Sequence, residues 1–527
     1  MDMAADLLFD LRRKGIRVWL DNSKLRYQTN GRALAPAELD ELRASKTILV
    51  RYLQEHQYSP DGEVPKPPPH PFQHRAPLAF SQQWLWNLED WRSVRYLGLL
   101  TEIRGDLNIE RFRKSITLLT LRHRVLQSTV VTHDDHQWQE FGQTNVPQID
   151  VISLIETPKE KQPTVIKQII FKLFSQRVDR TIGPLFETKL LKLDDRNYLF
   201  AVAVDHLVCD APSRGILLRD MWATYDQLSG GKASFLSDIP TQFSDYSVWQ
   251  HSASASWARD HGDYWTRRLA GAQRFRVFAD EGESDIKPAN WANWETKFPR
   301  SLCARLVLLS QKERTTVAMC VLTAYAALLL RWCKTHDLVI RFTTSGRSRP
   351  EIQNSVGYFV YPLFLRIEQF HADTFLDLLR RVTTEHARAN EHCDYGRIAS
   401  QSPRPEFTRN PFVNWIPPGF GVAVTGEFDH SQVDGLGGLR LRPYKLEYTS
   451  EDRESMAGKE EAPSIAQDEE PWVSFFESEE SITGYFSCMG HAVKDDSVER
   501  FKRNFNVFVE TLAHRPNTYI EKAPLLQ

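Results

Sequence analysis

Apolar residues along the chain fall into two spacings, helical and alternating, and the changes between them mark the elements. Leu7, Leu8, Leu11 and Ile16 space a short helix, with Gly15 suited to its C-terminal end. IRVWLD and KLRYQT then alternate and meet across Asn22-Ser23, which predicts a β-hairpin. Pro36 opens a helical run, PAELDELRASKTILVRYLQEH, with Leu39, Leu42, Ile48, Leu49 and Leu53 on its apolar stripe. The stretch that follows, SPDGEVPKPPPHPFQHRAP, has no period and is rich in proline, the composition of a semi-rigid linker.

From Leu78 the pattern mixes both periods. LTEIRGDLN reads as strand and turn, IERFRKSITLLTLRHRVL as an amphipathic helix, YLFAVAVDHLV as a buried strand and SRGILLRDMWATYDQL as the next helix. A second cycle has TTVAMCVLTAYAALLLRWC as a buried helix, DLVIRFTTSGR as a strand and DTFLDLLRRVTTEHARAN as a helix. Two mixed α/β lobes are the expected outcome. The predicted division is 1–57 for the hairpin unit, 58–76 for the linker, and 77–250 and 251–527 for the lobes. Residues 450–470, polar and aperiodic, are expected to form a mobile surface loop.

At 527 residues the chain exceeds a single hydrophobic core, in keeping with several units. Its 66 basic and 68 acidic side chains nearly cancel, so charge makes no case for nucleic acid or an anionic membrane. The six cysteines, Cys209, Cys303, Cys320, Cys333, Cys393 and Cys488, are scattered without metal-ligand spacing. The N-terminus lacks a signal-peptide pattern, and no apolar run approaches the roughly 18 residues of a membrane span. A cytoplasmic protein without a bound metal is expected.

Chemistry concentrates in VDHLVCDAPS, Val204 to Ser213, where the buried strand breaks into polar residues just before a helix. Read from His206, the stretch is His-x-x-x-Asp, an imidazole at the end of a strand with Asp210 near it. Neutral imidazole accepts a proton at neutral pH, which fits acyl transfer. Read from Asp205, it is Asp-x-x-x-x-Asp-x-x-Ser, with Asp205, Asp210 and Ser213 as the pattern. Asp210 can orient the imidazole or turn away into a salt bridge that fixes the turn.

FSQQWLW, LRHRVLQSTV, DHLVCDAPS, FSDYSVWQ, TTSGRSRPEIQNSVGYFVYPLFLR, EHCDYGRI and TRNPFVNW resemble, in order, the core motifs of nonribosomal peptide synthetase condensation domains over roughly residues 76–527. The resemblance implies a two-lobed chloramphenicol-acetyltransferase-like fold with a tunnel between the lobes. Donor and acceptor would arrive on phosphopantetheinyl carrier proteins, with no cofactor bound by the chain itself. His206 matches the family's active histidine, and Asp210 with Arg347 the ion pair that supports it. Asp205, where the family has a first histidine, is given a supporting role. Ser213, Gly357, Tyr358, Asn414 and Trp415 are expected to line the channel.

The Asp205 register matches heterocyclisation domains, which normally carry an apolar residue at the place of His206 and a Phe-Thr-Ser-type segment where this chain has NPFVNWIP. A catalytically inactive carrier-recruiting module is a further alternative, motivated by Asp205 and Ala211. DGLGGLRL is similar to a carrier-protein LGGxS site, but Leu439 stands in place of its serine. With no adenylation or thioesterase motif either, the expected protein is a stand-alone condensation enzyme. Its acyl chain would go to an amine or hydroxyl acceptor, free or carrier-bound. Release of the chain as an amide or ester, as in enacyloxin-type assembly, is the expected pathway role.

The first segment resembles TubC-like N-terminal docking domains of hybrid polyketide/nonribosomal peptide lines. Arg17, Lys24, Arg26 and Tyr27 on the hairpin are expected to receive, through strand addition, an acidic C-terminal tail from an upstream partner of the assembly line.

Overall fold

A computed structural model describes residues 16–21, 24–29, 34–55, 74–87, 96–142 apart from 135, and 149–278 apart from 176–177, 232–235, 237 and 274. It further describes 292–393 apart from 348 and 371, then 415–416, 419–423, 433–446 apart from 445, 468–469, 471–477, 482–488 and 495–526. The chain divides into two compact units, Met1–Pro68 and Pro69–Gln527.

In the first unit β1 (Ile16–Asp21) pairs antiparallel with β2 (Lys24–Thr29), with Ile16 opposite Thr29 and Asp21 opposite Lys24. The predicted hairpin strands are present and paired. Val18 is buried, and Tyr27, opposite it, is half exposed. The backbones of Arg17, Lys24 and Arg26 lie in these strands; their side chains, and the helix expected near residues 7–15, are outside the described residues. The single helix expected from Pro36 is instead two, α1 (Pro36–Ala44) and α2 (Lys46–Glu55). Ser45, a residue type that favours helix starts, heads the second. Leu42 and Leu49, seven residues apart, share the buried face, while Ile48, one position short of that spacing, is exposed.

The first described element of the second unit is β3 (Arg75–Pro77), which starts two residues inside the stretch expected as linker. Its further elements are α3 (Phe80–Asn87), β4 (Tyr96–Arg104), α4 (Ile109–Arg122), β5 (Thr129–His133), β6 (His136–Glu140), β7 (Asp150–Ser153), α5 (Gln162–Ser175), β8 (Phe186–Lys192), β9 (Asn197–Asp205), α6 (Ala211–Leu228) and α7 (Phe243–Leu269). There follow β10 (Ala292–Phe298), α8 (Arg300–Lys312), α9 (Val317–Trp332), β11 (Asp337–Thr344), β12 (Tyr361–Glu368), α10 (Phe375–Glu391), β13 (Trp415–Ile416), β14 (Gly419–Ala423), β15 (Arg440–Pro443), β16 (Asp468–Glu469), β17 (Trp472–Glu477), β18 (Ile482–Cys488) and α11 (Asp495–His514).

Two main sheets form two lobes, ordered β15-β4-β9-β8-β7 and β10-β18-β17-β14-β11-β12. Strand β9 shows why its sequence reads as continuously apolar: both of its faces are covered. Tyr198, Phe200, Val202 and Val204 join the core under α4 and α6, where Phe112, Phe200, Trp222 and Tyr225 pack ring against ring. Leu199, Ala201 and Ala203 point the other way, into the cluster with Ile166, Ile170 and Leu173 of α5.

The lobe boundary expected after residue 250 lies within α7, a helix of 27 residues and about 40 Å. Tyr246 and Trp249 pack in the first core and Trp265 and Leu269 in the second, so one continuous helix serves both lobes. The chain also returns from the second lobe: β15 pairs with β4 at the edge of the first sheet, and Ile352, Val356, Tyr358 and Phe359 enter the first core. Of the loop expected over 450–470, Asp468–Glu469 form β16, paired in parallel with β13; residues 450–467 and 470 are outside the described residues. Among the described residues no single helix is long and apolar enough to cross a membrane; α8 and α9 pass that test only jointly, across a 102° bend.

Candidate active site

Strand β9 ends at Asp205, and a tight turn then carries the chain into α6. Asp205 Oδ1 accepts the Leu207 N–H at 2.8 Å, and its main-chain carbonyl accepts the Val208 N–H at 3.1 Å. His206 is therefore the central residue of an Asx-turn. The Asp205 side chain meets Arg180, whose Nε donates to Oδ2 at 3.0 Å. The carboxylate is buried, and its partners are Arg180 and the turn; no bond joins it to the imidazole.

Asp210 is the N-cap of α6, its Oδ1 accepting the Ser213 N–H at 2.9 Å. Arg347 grips the same carboxylate in two places, Nη1 to Oδ2 at 2.6 Å and Nη2 to Oδ1 at 2.9 Å. Phe359 donates its N–H to Oδ2 at 3.0 Å, and the Arg347 guanidinium lies 4.4 Å over the Phe359 ring. Ser213 closes the assembly: its hydroxyl donates to the Gly357 carbonyl and accepts from Arg347 Nη2 at 2.8 Å and from the Gly357 N–H at 3.1 Å. Asp210 and Ser213 are both 0% exposed, so this is an internal lock between α6 and the 345–359 segment. Gly346 permits the close approach, since its φ is +67° and an added Cβ would stand 2.2 Å from the Phe359 carbonyl oxygen.

His206 sits between these two anchored carboxylates. Its Nδ1 lies 2.8 Å from the Cys209 carbonyl oxygen, and a carbonyl only accepts, so Nδ1 carries the proton. In the neutral ring the lone pair is then on Nε2, to which nothing among the described residues is bonded. Burial pushes the imidazole below its ordinary 6.5, against the Cys209 bond and the charges of Asp210 and Asp205, which raise it. The Tyr358 ring meets the imidazole edge-on at 4.9 Å, and burial keeps its phenol protonated.

Helix α3 braces the turn from outside. Ser81 Oγ donates to the Tyr358 carbonyl, and Gln82 Nε2 donates to the Leu207 carbonyl at 2.9 Å. A second buried cluster involves Asp220, within α6: Arg122 Nε donates to its Oδ2 at 2.8 Å, and His123 Nε2 lies 3.0 Å from the same oxygen. Burial would raise the Asp220 carboxyl, but these bonds hold it at about 2.

His206, Asp210, Arg347, Gly357 and Tyr358 thus come together. Ser213, expected in a channel wall, is instead part of the internal lock. Gly357 is a packing residue, with an added Cβ falling 2.2 Å from Phe243. Asn414 lies outside the described residues, and of Trp415 only the backbone, in β13, is described. Cys209, Ser81, Gln82 and Arg180 are additions. Ser81 and Gln82 sit in the FSQQWLW motif, whereas Arg180 belongs to no quoted motif and is 25 residues from its partner.

A family model for the Condensation domain matches residues 72–416, and one for the TubC N-terminal docking domain matches residues 5–55. The chain belongs to the condensation-domain family, whose chemistry is carrier-dependent acyl transfer. A linear gramicidin synthase of Brevibacillus parabrevis is 26% identical over 458 residues, 85% of this chain. The chain spans 8% of that relative's length. Solved structures share the fold, among them two that span nearly the whole chain. One is a cyclization-docking bidomain, EpoB, of Sorangium cellulosum, at TM-score 0.68 and 17% identity over 98% of this chain and 100% of that one. The other, described in condensation domain-mediated chain release from the enacyloxin polyketide synthase, matches at TM-score 0.66 and 16% identity over 100% of this chain and 98% of that one.

Proposed function

We propose that the protein is an acyltransferase that moves a polyketide or peptidyl chain from a phosphopantetheinyl carrier thioester to an amine or hydroxyl. The observation that carries this is the 2.8 Å approach of His206 Nδ1 to the Cys209 carbonyl oxygen, which commits the Nδ1–H and leaves the Nε2 lone pair for a nucleophile's proton. As the nucleophile attacks the thioester carbonyl, Nε2 takes its proton, the tetrahedral adduct collapses, and the carrier thiol leaves. A free acceptor makes this step the release of the chain as an amide or ester. Intact-protein mass spectrometry of acyl-loaded carrier with amine and hydroxyl acceptors tests it. Acyl mass should leave the carrier and appear on the acceptor only when the enzyme is present; retention on the carrier with every acceptor overturns it.

The heterocyclisation reading needs Asp205 and Asp210 to act as a pair. They are held by different arginines, on different elements, and His206 lies between them. Condensation is favoured on that geometry.

The first unit is proposed to recruit an upstream synthase, with an acidic tail adding to the hairpin edge near Tyr27. Deletion of residues 1–57 should slow transfer from the native upstream partner at low concentration, with little effect on transfer from an excess of isolated carrier. Equal rates with and without the segment, read by the same mass assay, would remove the docking role.

A further inference from the structure

We infer that Arg180 and Asp205 are positioning residues for His206: one buried ion pair, itself tied to strand β5, holds the turn that aims the imidazole. The inference rests on the transfer reading above.

The geometry is specific. Asp205 fixes the residue after His206 through Oδ1 and the one after that through its main-chain carbonyl, while its own N–H donates to the Leu185 carbonyl at 2.8 Å. His206 cannot shift without breaking one of these bonds. A carboxylate that is 1% exposed needs a counter-charge, and Arg180 supplies it through Nε. Arg180 is itself held in place. Its carbonyl accepts the Val130 N–H from β5 at 2.8 Å, and the Ile182 and Gly183 N–H groups fold back onto the Asp179 carbonyl. The support therefore runs from β5 through the 179–183 turn and Asp205 to the base.

The charge matters as well as the shape. Around the imidazole stand Asp205 with Arg180 on one side and Asp210 with Arg347 on the other, with Arg214 near Asp210. Cys209 and Tyr358 are kept protonated by burial. Both carboxylates favour the imidazolium, so changing one of them, or its counter-ion, changes how basic Nε2 is.

Asp205→Asn keeps the oxygen that accepts from Leu207 and removes the charge; Arg180→Gln leaves the carboxylate without its counter-ion; Arg180→Lys restores the cation. Expected in the pH profile of transfer is an acid limb moved down in Asp205→Asn and up in Arg180→Gln, each by about half a unit or more. Arg180→Lys should return it toward the parent. The His206 titration followed by NMR on 13C-labelled histidine in the full chain reads the same shifts without turnover. Limbs and NMR titrations that stay at the parent position, or that move the same way in Asp205→Asn and Arg180→Gln, overturn the inference. If His206→Ala retains transfer while the NMR shifts are opposed, the transfer reading fails and the positioning role stands.

Discussion

Arg347→Ala is expected to destabilise the second unit by about 3–5 kcal/mol, the cost of removing one partner of a buried ion pair. Asp210 is fully buried and would keep as hydrogen-bond donors only the Ser213 and Phe359 N–H groups, with Arg214 near but not bonded to it. Three further contacts of Arg347, with Ser213, the Ser355 carbonyl and the Phe359 ring, would go at the same time. The loss should show as a lower urea midpoint together with loss of transfer, because the lock that fails also places Tyr358 against His206. Arg347→Lys keeps the charge but not the two-pronged grip, and should fall between. A midpoint unchanged in Arg347→Ala would mean that other contacts hold α6 to the 345–359 segment.

His206→Ala is expected to act in the opposite way, on rate and not on stability. Removing a general base costs about 10²- to 10⁴-fold in rate. The full loss is expected for a hydroxyl acceptor, whose proton must be drawn away, and a smaller one for an amine that enters unprotonated. Loss of the single bond to Cys209 should change stability by only about 1 kcal/mol. The parent's pH profile carries the matching sign. Burial favours the neutral ring, so the base form should persist to pH values below the ordinary 6.5 and the acid limb should fall there. Acyl transfer by His206→Ala at the parent's rate with a hydroxyl acceptor would remove the imidazole from the mechanism.

Legibility in the sequence follows the range of the interactions. Hairpin, buried strand and the helices on either side are written in local periodicity, and VDHLVCDAPS marks the place where a strand ends in polar residues. The pairing of Asp210 with Arg347 is readable only through resemblance, since 137 residues separate them. Arg180 is not readable at all: it is one of many arginines, and only the folded chain brings it to Asp205. Ser213 misleads for a related reason, because a hydroxyl near a catalytic turn looks the same in sequence whether it faces substrate or closes an internal lock. The split at Ser45 and the unbroken α7 show the limit for boundaries. An apolar stripe that keeps its seven-residue spacing across Ser45 hides the break there, and a helix shared by two cores has no change in pattern where the lobes meet.

The pairing of β15 with β4 sets a limit on how this protein can be cut. Arg440–Pro443 cover the edge of a sheet whose other strands all precede residue 206, and Leu439 and Leu441 are buried in its core. A fragment ending after α7 would leave β4 with a bare row of hydrogen-bonding groups beside an unfilled apolar slot, the arrangement that recruits strands from neighbouring molecules. Such a half would be expected to aggregate unless the later segment were supplied in trans. The two lobes are thus one cooperative object, interlaced in the manner of a clasp.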